Sequence, residues 1–312
     1  MILSLLVPLK VDENCHDSHN VHPHPPTTTT STTTSSPDYT PAFSSSTSSS
    51  LVYTHRHVPI SVALYSDVPG LENPVCLVGN GKPQPLIDDI MSYLDKMAYA
   101  VYEHQMVTFE PVSADIEQKL SDIAAHDSAH ESHPLHKLKE KLAERLKVLT
   151  LCGFNCGKYD LNLVRTYLFK WLKQKGYQPS VIKRDNSYLL LATSKFRFLD
   201  ISSFIAAGHS YESYLRAYEV EESKGCFPYE WFDSAEKLEH TTLPPHKAFY
   251  STLKAQNINA EKYQECLAVW KKEHMNTFRD FLVYYNNKDV IGFLQALKKE
   301  KAFFRQRNDV FG

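Results

Sequence analysis

Cys152-Gly153-Phe154-Asn155-Cys156-Gly157-Lys158-Tyr159-Asp160-Leu161-Asn162-Leu163 is the stretch that decides the fold of this 312-residue chain. An apolar run at 146–151 comes directly before it, and apolar residues recur at three- and four-residue steps behind it. This pattern predicts a strand, a tight glycine-containing turn and then a helix. The turn would lie at the carboxyl end of the strand, where open α/β sheets bind their ligands. Asn155 and Asp160 are therefore the first candidate site residues.

Strands and helices alternate along the rest of the sequence. Gly176 ends the helix after the turn, and Arg184-Asp185-Asn186-Ser187 is a hairpin signal between two apolar runs. Runs of apolar residues and the alternation of apolar with polar residues predict strands at 2–9, 58–65, 75–78, 180–183, 188–192 and 196–200. Helical spacing predicts helices at 85–101, 113–125, 135–146, 260–272 and 277–299. This order is typical of an α/β fold with a mixed sheet flanked by helices.

Composition narrows the class of protein. A hydrophobic fraction of 42% and an aromatic fraction of 12% indicate a globular protein, and a net charge of -2 carries no nucleic-acid signal by itself. Six cysteines without a CxxC pair favour a reduced, intracellular setting. The apolar start lacks a basic segment and a small-residue cleavage site, so we interpret it as a strand rather than a signal peptide. No apolar run approaches the roughly 18 residues of a membrane span.

The chain divides into a first strand at 1–12, an insertion at 13–50 and a domain at 51–312. The insertion is rich in Ser, Thr and Pro, and such composition predicts disorder because it buries little apolar surface. Histidines cluster at its start, and again at His126, His130, His133 and His136. Zinc needs preorganised ligands, so solvated connections are the preferred interpretation of both clusters.

Three residues outside this insertion form a candidate catalytic set. Asp160 follows a strand, and Tyr285 and Asp289 share one face of a helix because they are four residues apart. Two carboxylates from separate elements can converge on Mg²⁺ or Mn²⁺, and a nearby tyrosine hydroxyl can orient an attacking water. A capping role for Asp160 and a core position for Tyr285 explain the same residues. Spacing alone leaves both interpretations open.

Resemblance to a known protein family supports the catalytic interpretation of these three residues. Asn155-Cys156-Gly157-Lys158-Tyr159-Asp160 resembles the second exonuclease motif of family B DNA polymerases, and Tyr285-Asn286-Asn287-Lys288-Asp289 resembles the third. The region 153–293 is similar to the exonuclease region of the protein-primed polymerases of linear plasmids, viruses and large transposons. Shared phrases in the same order are Phe198-Leu199-Asp200-Ile201, Lys224-Gly225-Cys226-Phe227-Pro228-Tyr229-Glu230-Trp231, Leu243-Pro244-Pro245 and Asp280-Phe281-Leu282.

The resemblance implies an RNase-H-like fold that performs 3′→5′ exonuclease proofreading during DNA replication. It makes Asp160 and Asp289 ligands of Mg²⁺ or Mn²⁺ and gives Tyr285 the task of positioning water. The single-stranded 3′ end of DNA would be held by four residues of the turn, Phe154, Asn155, Lys158 and Tyr159. Phe154 could equally pack in the core instead of holding DNA, and Lys158 could equally be a solvated turn residue.

Two departures from the family limit this expectation. The first exonuclease motif, an Asp-x-Glu on the first strand, has no counterpart, because the run at 2–9 contains no acid and Asp12 and Glu13 are adjacent. The carboxylates of a polymerase palm are also absent from this sequence. We therefore expect a fragment of a protein-primed family B DNA-directed DNA polymerase, an exonuclease-like domain with impaired catalysis. The alternative is a domesticated module that binds single-stranded nucleic acid or a protein without catalysis, or a nonfunctional fragment that still folds.

Overall fold

The computed structural model describes residues 2–5, 8–12, 55–125, 132–221 and 225–308. The insertion predicted at 13–50 lies outside the described residues, as do His126, His130 and Lys224. Nine strands are present in the described part. In chain order they are β1 (Ile2–Leu5), β2 (Pro8–Asp12), β3 (His55–Pro59), β4 (Ser61–Tyr65), β5 (Val75–Val78), β6 (Leu149–Gly153), β7 (Ser180–Arg184), β8 (Ser187–Ala192) and β9 (Phe196–Asp200).

Seven of these strands form one mixed sheet in the order β5-β4-β1-β6-β9-β8-β7. β1 lies inside the sheet, antiparallel to β4 and parallel to β6, and β6 is parallel to β9. β5, β8 and β7 complete the sheet by antiparallel pairing. β2 and β3 pair with each other in a separate two-stranded ribbon.

The helices cover both faces of the sheet. They are α1 (Pro83–Ala124), α2 (Pro134–Leu146), α3 (Asp160–Gln174), α4 (Tyr211–Ala217), α5 (Ala260–Lys272) and α6 (Phe278–Asn308). In the described part of the chain, no helix is long and apolar enough to cross a membrane.

Successive side chains of the central strands pack on opposite faces of the sheet, so the core has one part on each face. Leu149 and Leu151 of β6 pack with α1 and α3, whereas Cys152 packs with the cluster of α4 and α6. Val62 and Ala63 of β4 divide in the same way. Successive side chains of a strand point to opposite faces, so both faces of the sheet are buried. The predicted α/β class with a mixed sheet is confirmed.

The bounds of several elements differ from those predicted. The two helices predicted at 85–101 and 113–125 are one helix, Pro83–Ala124, of 42 residues that continues through Pro111. A proline removes one helical hydrogen bond and can kink a helix without ending it. Pro111 is exposed, so no neighbouring element packs against the helix there in a way that would end it. The predicted strand 2–9 is likewise two strands with different partners. Pro8 and Pro59 are opposite each other where the pairing changes, and neither has an N–H to continue a ladder.

Candidate functional site

The turn after β6 is held by Asp200, the last residue of the neighbouring strand β9. Its Oδ1 accepts hydrogen bonds from the backbone N–H of Asn155 (2.8 Å) and from Ser202, and its Oδ2 accepts one from the N–H of Gly157 (2.9 Å). Asp200 is 4% exposed, and Asn155 has a left-handed backbone with φ 56°. Nothing in the sequence predicted this role, although Asp200 ends a predicted strand and lies in the shared phrase at 198–201.

The same turn is fixed from the other side by the β7–β8 hairpin. The N–H of Tyr188 donates to the carbonyl of Gly157 at 2.9 Å, and a Cβ at Gly157 would lie 2.0 Å from the carbonyl oxygen of Tyr188. Asn162 donates from Nδ2 to the carbonyls of Lys158 and Asn186. Only glycine fits at 157, because any side chain would collide with the backbone of β8.

Asp160 begins α3 and is buried at the centre of this region. The cap position belongs to Tyr159, so Asp160 lies in the first turn of the helix, where the helix dipole stabilises a negative charge. Tyr159 is 38% exposed, and its hydroxyl forms a 2.6 Å hydrogen bond with Nδ1 of His57 on β3. Burial, together with the charge of Asp160, raises the pKa of Tyr159 to about 12.

Two tyrosines connect this turn to α6. The hydroxyl of Tyr285, which is 4% exposed, lies 2.7 Å from the hydroxyl of Tyr229, and Asp289 lies one turn further along α6. Burial raises the pKa of Tyr285 well above its usual value, so the hydroxyl stays protonated. Burial also raises the pKa of Tyr229, and the charges of Asp289 and Asp160 add to this effect. The charges of both carboxylates therefore act on the Tyr229 hydroxyl.

Close packing of the segment 225–232 on α6 places Tyr229. A Cβ at Gly225 would lie 2.8 Å from Cδ2 of Tyr285, so the backbone rests directly on that ring. The ring centroid of Phe227 lies 5.0 Å from that of Tyr285. Tyr211 donates from its hydroxyl to the carbonyl of Asp289 at 2.7 Å, which fixes the next turn of α6. These contacts hold Tyr285 and Asp289, which share one face of α6, in a defined position.

Of the four residues expected to hold DNA, three are exposed. The side chains of Asn155, Lys158 and Tyr159 are accessible around the turn. The ring of Phe154 packs against Tyr211, with centroids 5.4 Å apart, and also contacts the rings of Tyr214 and Phe293. Its contacts are those of a core residue, which was the second interpretation of Phe154.

The carboxylate oxygens of the site are suited to Mg²⁺, but only a few carboxylates supply them. Asp160 and Asp289 supply hard carboxylate oxygens, and Mg²⁺ is often bound by one or two carboxylates together with substrate phosphates. No group of three or more His, Cys, Asp or Glu residues that could hold a metal occurs in the described ranges. Asp160 and Asp289 alone are therefore too few to hold a two-ion cluster by side chains.

One histidine from the predicted clusters has a defined contact. Nδ1 of His133 accepts from the backbone N–H of Leu135 at 3.3 Å and so caps the start of α2. His57, which contacts Tyr159, carried no signal in the sequence, since only tertiary packing brings β3 to the turn. Tyr229 lies within one of the phrases shared with the polymerases, and that phrase was its only signal.

Comparison of the chain with protein-family models, with curated proteins and with solved structures found no match.

Proposed function

We propose that the chain is an RNase-H-like, exonuclease-type domain related to the protein-primed family B DNA polymerases. In this proposal it binds the single-stranded 3′ end of DNA and has little catalytic activity of its own. The strand order supports the fold, because an RNase-H-like sheet has its first strand inside, two antiparallel strands on one side and parallel strands on the other. β5-β4-β1-β6-β9 follows this order.

The observation that carries the proposal is the meeting of three separate sequence phrases at Tyr229. The hydroxyl of Tyr229 is hydrogen bonded to that of Tyr285, and the charges of both Asp160 and Asp289 raise its pKa. Tyr229 and Tyr285 are 56 residues apart, and Asp160 belongs to a third element. A helix cap and a core tyrosine at unrelated places would not bring these groups together.

The chain's own residues can bind an unpaired strand at this position. Exposed Tyr159 offers a ring on which a base can stack, and Lys158 offers a cation for a phosphate. The protonated hydroxyl of Tyr285 can donate to, or orient, a water beside Asp289. Mg²⁺ bound by Asp160 and Asp289 with a phosphate would act there as a Lewis acid.

Low activity is expected because β1, on which the related polymerases carry an Asp-x-Glu pair, has no carboxylate. β1 lies between β4 and β6, and its residues are Ile2, Leu3, Ser4 and Leu5. Two-metal phosphoryl chemistry needs bridging or flanking carboxylates around ions about 3.5–4 Å apart. A binding module without catalysis is therefore the second candidate, and it is favoured by the small number of carboxylates in the described site.

Binding is tested by fluorescence anisotropy with a labelled single-stranded oligonucleotide and its duplex. Single strands should bind more tightly, with an affinity that falls steeply with salt. Tyr159→Ala should raise Kd about fivefold or more, because it removes a stacking face. Lys173→Ala is the matched control, since Lys173 is exposed near the other end of α3 and should change Kd little. No binding at low salt would refute the proposal.

Degradation of the same oligonucleotide with Mg²⁺ separates the two candidates. Weak degradation that Asp160→Asn and Asp289→Asn both abolish supports an impaired exonuclease. Binding without any degradation supports the binding module. Robust degradation that is lost in Asp160→Asn would contradict the expected impairment, and degradation that survives both substitutions would place the activity elsewhere.

A further inference from the structure

Two arginines from different elements lie at the amino ends of β6 and β9. Arg145, in the last turn of α2, donates from Nη1 to the hydroxyl of Thr150 on β6 at 3.1 Å. Thr150 is the register partner of Arg197 on the neighbouring parallel strand β9. Register partners on neighbouring strands are about 4.8 Å apart and point to the same face of the sheet. The guanidinium of Arg145 therefore lies beside the strand position that carries Arg197.

This pair is on the face of the sheet opposite to α1 and α3. Leu149 and Phe196, which precede Thr150 and Arg197, belong to the core on the α1 and α3 side. Alternation along each strand therefore turns Thr150 and Arg197 to the other face. The partner of Arg197 on its other side is Ala192 of β8. Thr150 and Ala192 are small and half-buried, so they leave space beside the arginine side chain.

The positive charge of this pair is not balanced by an acid. Within the described part of the chain, neither arginine forms an ion pair with a carboxylate. Glu300, a buried acid whose charge acts on Cys152 of the same face, accepts a hydrogen bond from Tyr214 instead. Two cations side by side repel each other. In agreement, burial and then the charge of Arg197 lower the pKa of Arg145.

A hydrogen-bond donor of the pair is also unused. The Nε of Arg197 is buried and has no hydrogen-bond partner among the residues that the structure describes. A buried donor without an acceptor costs free energy, more so when it carries charge. The unbalanced charge and the unused donor together call for an anion with several oxygen acceptors.

We propose that Arg145, Thr150 and Arg197 form a binding site for a dianionic phosphate group, either inorganic phosphate or a phosphomonoester. The planar fork of a guanidinium matches two phosphate oxygens. The hydroxyl of Thr150 can donate to a third oxygen while it accepts from Arg145. A phosphomonoester has a charge of about -2 at neutral pH, which balances the two arginines, whereas a phosphodiester has about half of that charge.

This site is separate from the candidate site and does not rest on the proposed function. It lies at the amino ends of β6 and β9, whereas the turn that leads to Asp160 follows their carboxyl ends. Arg145 is exposed, so a ligand can reach the pair from solvent. A phosphate bound there would join the end of α2 to β9.

Titration calorimetry of the full-length protein with sodium phosphate, at constant ionic strength, measures the affinity. We expect a Kd of about 1 mM, as for a small site with a few charge-assisted hydrogen bonds. Because a ligand that binds only the folded state stabilises it, about 20 mM phosphate should raise the Tm by about 3 °C.

Three variants assign the binding to the arginine pair. Arg145→Gln and Arg197→Gln should each raise the Kd for phosphate about tenfold or more, because each removes charge-assisted hydrogen bonds. Arg165→Gln is the matched control, since Arg165 is an exposed arginine of α3, and its Kd should change less than about twofold. If Arg197→Gln does not fold, the exposed position of Arg145 decides the matter.

The stability of Arg145→Gln separates a binding role from a purely structural one. Without phosphate this substitution should leave the Tm unchanged or raise it, because it removes the repulsion between the two cations. A contact that merely stabilised the fold would make the Tm fall, so a clear fall without any change in phosphate affinity would contradict the proposal.

Adenosine monophosphate and adenosine distinguish the two sources of the phosphate. Equal affinities for inorganic phosphate and adenosine monophosphate would identify the phosphate group alone as the ligand, and tighter binding of the nucleotide would identify a phosphomonoester. Adenosine should not bind in either case. Three results would overturn the proposal: no binding of either phosphate compound, equal affinities in all three variants, or a dependence on Arg145 that is confined to an oligonucleotide with phosphodiesters only.

Discussion

At the scale of single residues, Asp200 organises more of the site than any residue singled out from the sequence. A buried carboxylate is costly unless hydrogen bonds stabilise its charge. Asp200 receives them from the backbone N–H groups of Asn155, Gly157 and Ser202 and from the Ser202 hydroxyl. One side chain therefore joins β9 to the turn that ends at Asp160.

Asp200→Asn should lower the free energy of unfolding by about 1–3 kcal/mol, because an amide NH₂ would face an N–H donor that needs an acceptor. Urea unfolding followed by circular dichroism measures the change. The control is Asp185→Asn at an exposed hairpin position, whose φ of 53° asparagine also adopts. There we expect the free energy of unfolding to change by about 0.5 kcal/mol or less. Equal effects of the two substitutions would show that the Asp200 contacts do not matter for stability.

At the scale of elements, α6 ties the candidate site to the rest of the domain. It carries Tyr285 and Asp289, and Asn286 of the same helix donates to the buried Ser61 hydroxyl at 2.9 Å. Further along, Glu300 accepts from the hydroxyl of Tyr214 on α4 at 2.7 Å. These buried polar contacts fix the rotation of the helix, and so they determine that Tyr285 faces the segment 225–232.

Gly225→Ala tests the contact between that segment and α6. A methyl group there would lie 2.8 Å from a ring carbon of Tyr285, so the segment or the ring must move, at a cost of about 1–3 kcal/mol. Thermal and urea unfolding measure the loss, and DNA affinity should fall with it if Tyr229 shifts. Gly208→Ala is the comparison, because a Cβ at Gly208 meets no atom within 4 Å and only its φ of 89° opposes the change. A larger loss at Gly208 would argue against tight packing at Gly225.

At the scale of the whole molecule, buried tyrosines make stability depend on alkaline pH. Burial raises the pKa of Tyr285 and of Tyr214, and the hydrogen bond of Tyr214 to Glu300 raises it further. An unfolded tyrosine has a pKa near about 10, so above that pH the unfolded chain loses protons that the folded chain keeps. The stabilisation is complete below pH ~10 and is lost as pH rises above it.

Each such tyrosine should lower the free energy of unfolding by about 1.4 kcal/mol per pH unit above ~10. Urea titrations between pH 8 and 11.5, with tyrosinate absorbance as a second signal, measure this slope. Tyr285→Phe should make the slope shallower by the share of one group. An unchanged slope in that variant would mean that Tyr285 ionises normally in the folded protein.

Local patterns accounted for much of the fold. Alternation and glycine placement identified the hairpin around Asp185 and the strand, turn and helix that contain Asp160. They failed at Pro111, where a local breaker was outweighed by the helix on both sides of it. For the site, Asp160, Tyr285 and Asp289 could be chosen from spacing and resemblance. The contact of His57 and the role of Asp200 could not, since their partners are 102 and 45 residues away.

The sequence by itself determined the elements, because helix and strand periods and turn residues act over a few positions of the chain. It also determined which side chains could carry chemistry. Only the tertiary structure decided that Tyr229 pairs with Tyr285, that Asp200 holds the turn before Asp160 and that Phe154 belongs to the core. These contacts arise where the two faces of the sheet and the segment 225–232 pack together, and packing between distant segments leaves no periodic trace in a single chain.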